Sequence, residues 1–319
     1  MNEFNLIKKY LSRLSDYKKS FKLNDDVFFD KSKNLIVSVD TYVEGIHFLN
    51  FKNPNLVIKK ILRSSISDLV CKGVIPKYYF ISASGNDKSF TSSNLRKLSK
   101  SLKEEQSKFK ILLCGGDTVF SPKLSFSITV IGFSKKIIQR NNANVNDDIY
   151  VTGNLGDSFI GLKILKKEIL LKNQFKKYFI YKYFHPDLSI RLSKKLFDFA
   201  TSSIDISDGL IADLEKLINK QKLSYILNLT NVPISKNLKI ILKTNKIKNK
   251  LFAVSKGDDY QILFTAPPHK SEIIKKVTNS IGIKVSKIGK IVSKLEKSAI
   301  IDEYGNKISP KLKGYEHQF

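Results

Sequence analysis

Residues 34–48 read NLIVSVDTYVEGIHF. The opening NLIVSV is a short β-branched run, the composition of a strand packed on at least one face. It ends at Asp40, so the strand is expected to hand a carboxylate to the loop beyond it, where His47 stands. Asn53-Pro54 follows as a helix start, with Asn as N-cap and Pro at the first helical position. That helix carries Val57, Ile61, Ser64, Ser65 and Asp68 and ends near Gly73, which puts Asp68 on the side of the small residues and open to close approach. Strand, acid, helix, acid is the unit from which the rest is read.

Outward from it, residues 77–84 form a strand, 92–107 a helix, and 111–114 a strand running into Gly115-Gly116-Asp117; 124–133 is a further strand. The N-terminal MNEFNLIKKYLSRL spaces Phe4, Ile7, Leu11 and Leu14 on one helical face and predicts a first helix. The polar RNNANVNDD of residues 140–148 is the best domain boundary, dividing the chain into 1–139 and 140–319. Beyond it come a strand at IYVTG, a helix after residues 154–157, another near Pro186, and one after DISDGL with Leu210, Leu214 and Leu217 on its buried side. Residues 262–266, 284–291 and 299–302 read as strands and about 270–280 as a helix. The class is α/β or α+β in two domains, without a solenoid-length repeat, and the sheet order stays open.

A chain of 319 residues with 42% hydrophobic and 27% charged residues has material for an extensive core. No apolar stretch approaches the ~20 residues of a membrane span. The two cysteines, Cys71 and Cys114, form no metal or disulfide pattern, read as small buried hydrophobes, and fit a reducing cytoplasm. The net charge of +27 raises nucleic-acid binding as a possibility, but lysines run through the whole chain rather than forming one stripe. A diffuse positive field favours anionic small substrates instead.

Short aspartate motifs recur: NDDVF at 24–28, SISDL at 65–69, CGGDT at 114–118, DISDGL at 205–210 and KGDDYQILF at 256–264. Acids gathered at one place repel unless a cation neutralises them, and an all-oxygen ligand set suits Mg²⁺. Two glycines before Asp117 let backbone approach a phosphate; Asp205 and Asp208 stand at a helix start, where one of them can serve as N-cap. Each motif alone has an ordinary reading as a turn or a cap. Their co-occurrence is what points to a phosphate- and metal-handling enzyme.

In this order the motifs, with DTYVEGIHF, the IYVTG-LGDS-GL stretch and the GYEH tail, resemble the thiamine-monophosphate kinases, over nearly the whole chain from Asn24 onward. The resemblance implies ATP-dependent phosphorylation of thiamine monophosphate, in an N-terminal α/β domain whose sheet pairs with its twin in a homodimer, followed by a C-terminal α/β domain. It places several Mg²⁺ ions on Asp26, Ser38, Asp40, Asp68, Asp117, Asp205 and Asp208. ATP contacts fall on Gly116, Asp117, Arg140 and Ser207, and thiamine-phosphate contacts on His47, Asp258 and Leu312. Departures from the pattern are Asn24 for a glycine, Val39 for threonine, Asp258 for glutamate and Leu312 for an aromatic. The acceptor phosphate has a second pKa of ~6 and is mostly dianionic at neutral pH, so no general base or nucleophile is expected. The alternative is another ATP-dependent synthetase of the same superfamily acting on a phosphorylated small molecule. No nucleic-acid or membrane partner is expected.

Overall fold

The strand that begins at Leu35 runs past Asp40 to Val43. This computed structural model describes residues 3–15, 20–244, 246–310 and 313–315; Leu312, an expected substrate contact, lies outside them. The period-2 pleat explains why Asp40 sits inside the strand rather than at its end. Ile36, Ser38, Asp40 and Tyr42 point to one face, the core side, while Val39 and Thr41 point out. The apolar run stops at Asp40, but the hydrogen-bonded ladder does not.

Strands β1 (Phe28–Asp30), β2 (Leu35–Val43), β3 (Pro76–Gly85), β4 (Leu112–Gly115), β5 (Thr118–Phe120) and β6 (Ser125–Phe133) form the first sheet. Its order is β1-β2-β6-β3-β4, with β5 beside β3. The β2–β6 ladder is antiparallel over nine pairs, from Leu35↔Phe133 to Val43↔Ser125, and it opposes Asp40 to Ile128. Helix α1 (Pro54–Cys71) covers the inner face and buries Ile58, Ile61, Leu62, Ile66 and Leu69. Pro54 sits at its start as expected, but the Asn53 side chain makes no capping hydrogen bond. Helix α2 (Ser92–Phe109) is capped by Thr91, which accepts from the N–H of Asn94.

The second sheet is made of β7 (Asp148–Thr152), β8 (Ser202–Asp205), β9 (Leu223–Asn228), β10 (Ile262–Ala266), β11 (Val285–Ser293), β12 (Ala299–Ile301) and β13 (Lys307–Ile308), in the order β13-β12-β9-β11-β7-β10-β8. Every residue of β7, β8 and β10 is buried, because α3 (Asp157–Leu165), α4 (Asn173–Phe184), α5 (Leu210–Leu217) and α6 (Ser271–Ile281) and the first sheet's helix leave these strands no open face. One apolar core joins residues of the first sheet to Tyr183, Phe199, Ile262 and Phe264, so it crosses from one sheet's territory to the other's. A second core lies wholly beyond residue 142.

Some expectations need correction. The N-terminal segment is helical as expected, but as three short successive pieces of differing pitch, Glu3–Leu6, Ile7–Leu11 and Ser12–Leu14, with Leu14 83% exposed. The helix expected near Pro186 begins at Ile190, and α4 precedes that proline, a natural stop after its C-cap His185. Cys71 is buried, but Cys114 is exposed.

Candidate active site

Three residues of α1 and its C-cap fall four apart on one face: Lys60, Ser64, Asp68 and Lys72. They span twelve residues, about 18 Å of helix at 1.5 Å per residue. Lys60, Ser64 and Lys72 are at most 2% exposed. Buried lysines need partners, and the partners of these two define the two ends of the site.

At the C-terminal end, the Lys72 ammonium lies 2.9 Å from Asp25 Oδ1 and 2.6 Å from Asp26 Oδ2, and it donates to the Ser203 carbonyl at 2.7 Å. It thereby joins the NDDVF turn, the end of α1 and strand β8. Burial is the largest single influence and opposes its charge, but the charge and hydrogen bond of Asp25 together with neighbouring groups, Asp205 among them, outweigh it, and the ammonium titrates above its usual range. Arg140 closes the same turn from the other side. Its guanidinium is paired with Asp26, and its backbone N–H donates to Asp25 Oδ2 at 2.9 Å.

Beside this joint three carboxylates meet. Oxygens of Asp26, Asp68 and Asp205, which come from a loop, a helix and a strand end, lie within 4.8 Å of one another. Asp40 flanks them from β2 and is held by the Tyr42 hydroxyl at 3.1 Å. Burial, then the charges of Asp40 and Asp205, push the Asp68 carboxyl well above the usual range; burial also raises that of Asp40. Asp205, which accepts from Ser67 Oγ at 2.5 Å, is pushed up to about 6, chiefly by burial.

The donor set fits Mg²⁺. It is all oxygen, it gathers more carboxylates than Lys72 and Arg140 can neutralise, and Ser38 Oγ is buried beside it without a hydrogen bond of good geometry. A consequence can be measured. A carboxyl whose folded-state pKa is raised binds its proton more tightly folded than unfolded, so stability falls as pH rises through about 4 to about 6. In metal-free protein the melting temperature of the wild type, relative to Asp205→Asn, should therefore drop across that window and stay low above it. Saturating Mg²⁺ should remove the drop. A wild type that gains stability relative to Asp205→Asn on the same pH rise, without metal, would contradict the assignment.

DISDGL is built differently from its reading as a capped helix start. Asp205 ends β8, Gly209 precedes α5, and neither Asp205 nor Asp208 caps it. Asp213 reaches back instead and accepts from the N–H groups of Asp208 and Gly209 at 2.9 and 3.0 Å. Asp208 is paired with Lys216, so its side chain stands at the rim rather than in the group of three. Ser207, half-buried, uses its carbonyl to accept from the N–H of Asp258 at 2.8 Å, which ties KGDDY to DISDGL.

At the other end of α1, Lys60 is 2.6 Å from Asp258 Oδ1 and lies over the ring of Tyr183, 4.2 Å from its centroid. The Tyr183 hydroxyl donates to the His47 carbonyl at 3.4 Å. His47 also meets the Tyr42 ring edge-on at 5.8 Å. The expected substrate contacts His47 and Asp258 thus meet across Tyr183, and Tyr42 links them to Asp40.

Gly116 and Asp117 stand apart. Both are exposed, and among the described residues the Asp117 carboxylate accepts only its neighbour's N–H, from Thr118 at 2.8 Å. The close approach that Gly116 permits is to Ile81 of β3, whose carbonyl oxygen would lie 1.8 Å from a Cβ. Sequence reasoning missed Lys60, Lys72, Tyr42, Tyr183 and Asp213. For the two lysines a signal existed in the four-residue spacing with Ser64 and Asp68.

Residues 24–134 match the family model described as AIR synthase related protein, N-terminal domain. The thiamine-monophosphate kinase of Buchnera aphidicola subsp. Acyrthosiphon pisum (strain APS) is 34% identical over 326 residues, covering 99% of this chain and 98% of the relative. That of Escherichia coli (strain K12) is 29% identical over 323 residues, with the same coverage. Among solved structures, AaThiL complexed with AMPPCP and TMP superposes with a TM-score of 0.85 at 27% identity, over 99% of this chain and 97% of the other. Escherichia coli HypE, a hydrogenase maturation protein, shares the fold at a TM-score of 0.68 and 17% identity, over 87% of this chain and 85% of its own.

Proposed function

Since the chain belongs to the thiamine-monophosphate kinase family, we propose that it transfers the terminal phosphate of ATP directly to thiamine monophosphate, giving thiamine diphosphate. The observation that carries this reading is the convergence of Asp26, Asp68 and Asp205, distant in sequence, on one oxygen cluster where the two sheets join.

Asp26, Asp68 and Asp205, with Asp40, Ser38 and the rim residue Asp208, would hold Mg²⁺, which when bound neutralises the two polyanions that must meet in line. The protein's own part is positioning. Lys72 and Arg140 hold the Asp25-Asp26 turn against the end of α1, and Arg140 brings a half-buried guanidinium to the phosphate end of the cleft. Ser207 sits between the two ends and is read as an ATP contact. His47 and Asp258, backed by Tyr183, form the end that takes the thiamine portion. The acceptor is already a dianion at neutral pH and needs neither a general base nor a covalent intermediate on the protein. Transfer is therefore a single displacement, worth its rate through proximity and charge stabilisation. A chase of labelled ATP should leave no phosphate on the protein.

In this reading residues 1–139 bind ATP and metal and carry the dimer face, while 140–319 complete the cleft with Asp205, Ser207, Asp208 and Asp258. The homodimer is supported by the outward face of the first sheet, which leaves Val39 64%, Phe120 80% and Phe133 52% exposed. Gly116 and Asp117 lie at the edge of that sheet, where a second copy is what would bring them to a site. The free thiols fit a cytoplasmic setting, and no described helix is long and apolar enough to cross a membrane.

The test is product formation. Purified protein with ATP, Mg²⁺ and thiamine monophosphate should give thiamine diphosphate, and Asp208→Asn should lower kcat by about a hundredfold or more. Folded wild-type protein that makes no product would refute the reading.

A further inference from the structure

Lys60 has no part in the chemistry above, yet it is 1% exposed in the middle of α1. Its ammonium is 2.6 Å from Asp258 Oδ1 and is flanked by the rings of Tyr183 and Tyr260, 4.2 and 5.4 Å from their centroids. The Tyr260 hydroxyl donates to the same oxygen at 3.1 Å. Oδ1 therefore has two donors, whereas no described residue donates to Oδ2, and the side chain is 25% exposed. The backbone beneath is equally constrained. Gly257, Asp258 and Tyr260 have φ of 74°, 64° and 51°, and the N–H groups of Asp258 and Tyr260 are held at 2.8 Å by the carbonyls of Ser207 and Ile206. Non-glycine residues stay in the left-handed region only where their surroundings over-determine them, and such sites cluster where function needs a fixed geometry.

We propose that Lys60 is a positioning residue for substrate specificity: by holding Oδ1 of Asp258 it aims Oδ2 into the cleft as an acceptor for an N–H-bearing, cationic heteroaromatic ring system, such as that of thiamine monophosphate. The proposal rests on the kinase reading and adds a residue through which Asp258 acts. A lysine suits the task. Its charge is a point on a flexible stem, here clamped between two rings, and it fixes one oxygen without the bidentate grip of an arginine that would occupy both.

The experiment is a cycle of Lys60→Met, Asp258→Asn and the double variant, with dissociation constants for thiamine monophosphate and a non-hydrolysable ATP analogue measured by calorimetry. Lys60→Met keeps the stem and the ring contacts. It should weaken thiamine-monophosphate binding about thirtyfold to a hundredfold, the low end of the range for truncating one partner of a buried charge pair because Asp258 is a quarter exposed, while the ATP analogue changes by less than about twofold. On the Asp258→Asn background the effect should vanish, because Lys60 acts through that carboxylate. Tyr260→Phe removes only the second donor and should give a smaller loss of about threefold to tenfold, a readout that survives if Lys60→Met melts early. Unchanged affinity in both single variants, or an equal loss with and without the Asp258 carboxylate, overturns the proposal while wild-type binding stands. Absence of binding by wild-type protein overturns the kinase reading, and this proposal with it.

Discussion

Asp68→Asn is expected to lower kcat/KM by about a thousandfold or more and, in metal-free protein, to raise the melting temperature. The two effects have one cause. Asp68 stands on α1 between two other carboxylates within 4.8 Å, and burial with the charges of Asp40 and Asp205 pushes its pKa well above the usual range. At neutral pH its ionised form is therefore a source of strain in the fold, and an isosteric amide removes the charge without removing volume. The same amide is a weaker ligand for a hard cation. Wild-type protein should gain stability on adding Mg²⁺, because a ligand that binds only the folded state shifts the equilibrium toward it, and Asp68→Asn should gain little. Melting curves with and without Mg²⁺, beside initial rates, measure all of this. A variant that keeps activity within tenfold and responds to Mg²⁺ like the wild type would remove Asp68 from the metal site.

Much of this was legible before any coordinates. The Asn53-Pro54 start and the 3.6-residue spacing gave α1 to within a few residues, and β10 ran from Ile262 to Ala266 as the apolar run indicated. Local pattern could not carry the reading further where partners are remote. Ser202–Asp205 has four residues and two serines, with no alternation to mark it; it is a strand because it pairs antiparallel with β10, from Ser202↔Thr265 to Asp205↔Ile262, while the two serine hydroxyls find Thr265 and the Cys71 carbonyl. Asp213 looked like any helical acid, and only the fold shows that it reaches back to cap α5. Lys60 and Lys72 were lost among 56 basic residues, since composition alone does not tell a buried ammonium from a solvated one. Asp40 was identified with the wrong local geometry, because an apolar run and a hydrogen-bonded ladder end for different reasons.

Lys72→Met should destabilise the protein by about 3–5 kcal/mol, the range for removing one partner of a buried ion pair. The ammonium is wholly buried, and its three acceptors, Asp25, Asp26 and the Ser203 carbonyl, come from two segments far apart in the chain. Methionine fills much the same volume, so the effect isolates charge and hydrogen bonding from cavity formation. Arg140 still neutralises Asp26 in the variant. Asp25, with its side chain 2% exposed, keeps among the described residues only backbone donors, the N–H groups of Asp26 and Arg140. Most of the loss should therefore follow Asp25, and Asp25→Asn added to Lys72→Met should recover part of it, a non-additivity that denaturant unfolding of the four proteins would read directly. Additive losses would mean that Lys72 acts through the Ser203 carbonyl, as a strap between α1 and β8. A total loss below about 1 kcal/mol would mean that Arg140 alone suffices to hold the turn, and the joint between the sheets would then rest on the shared apolar core.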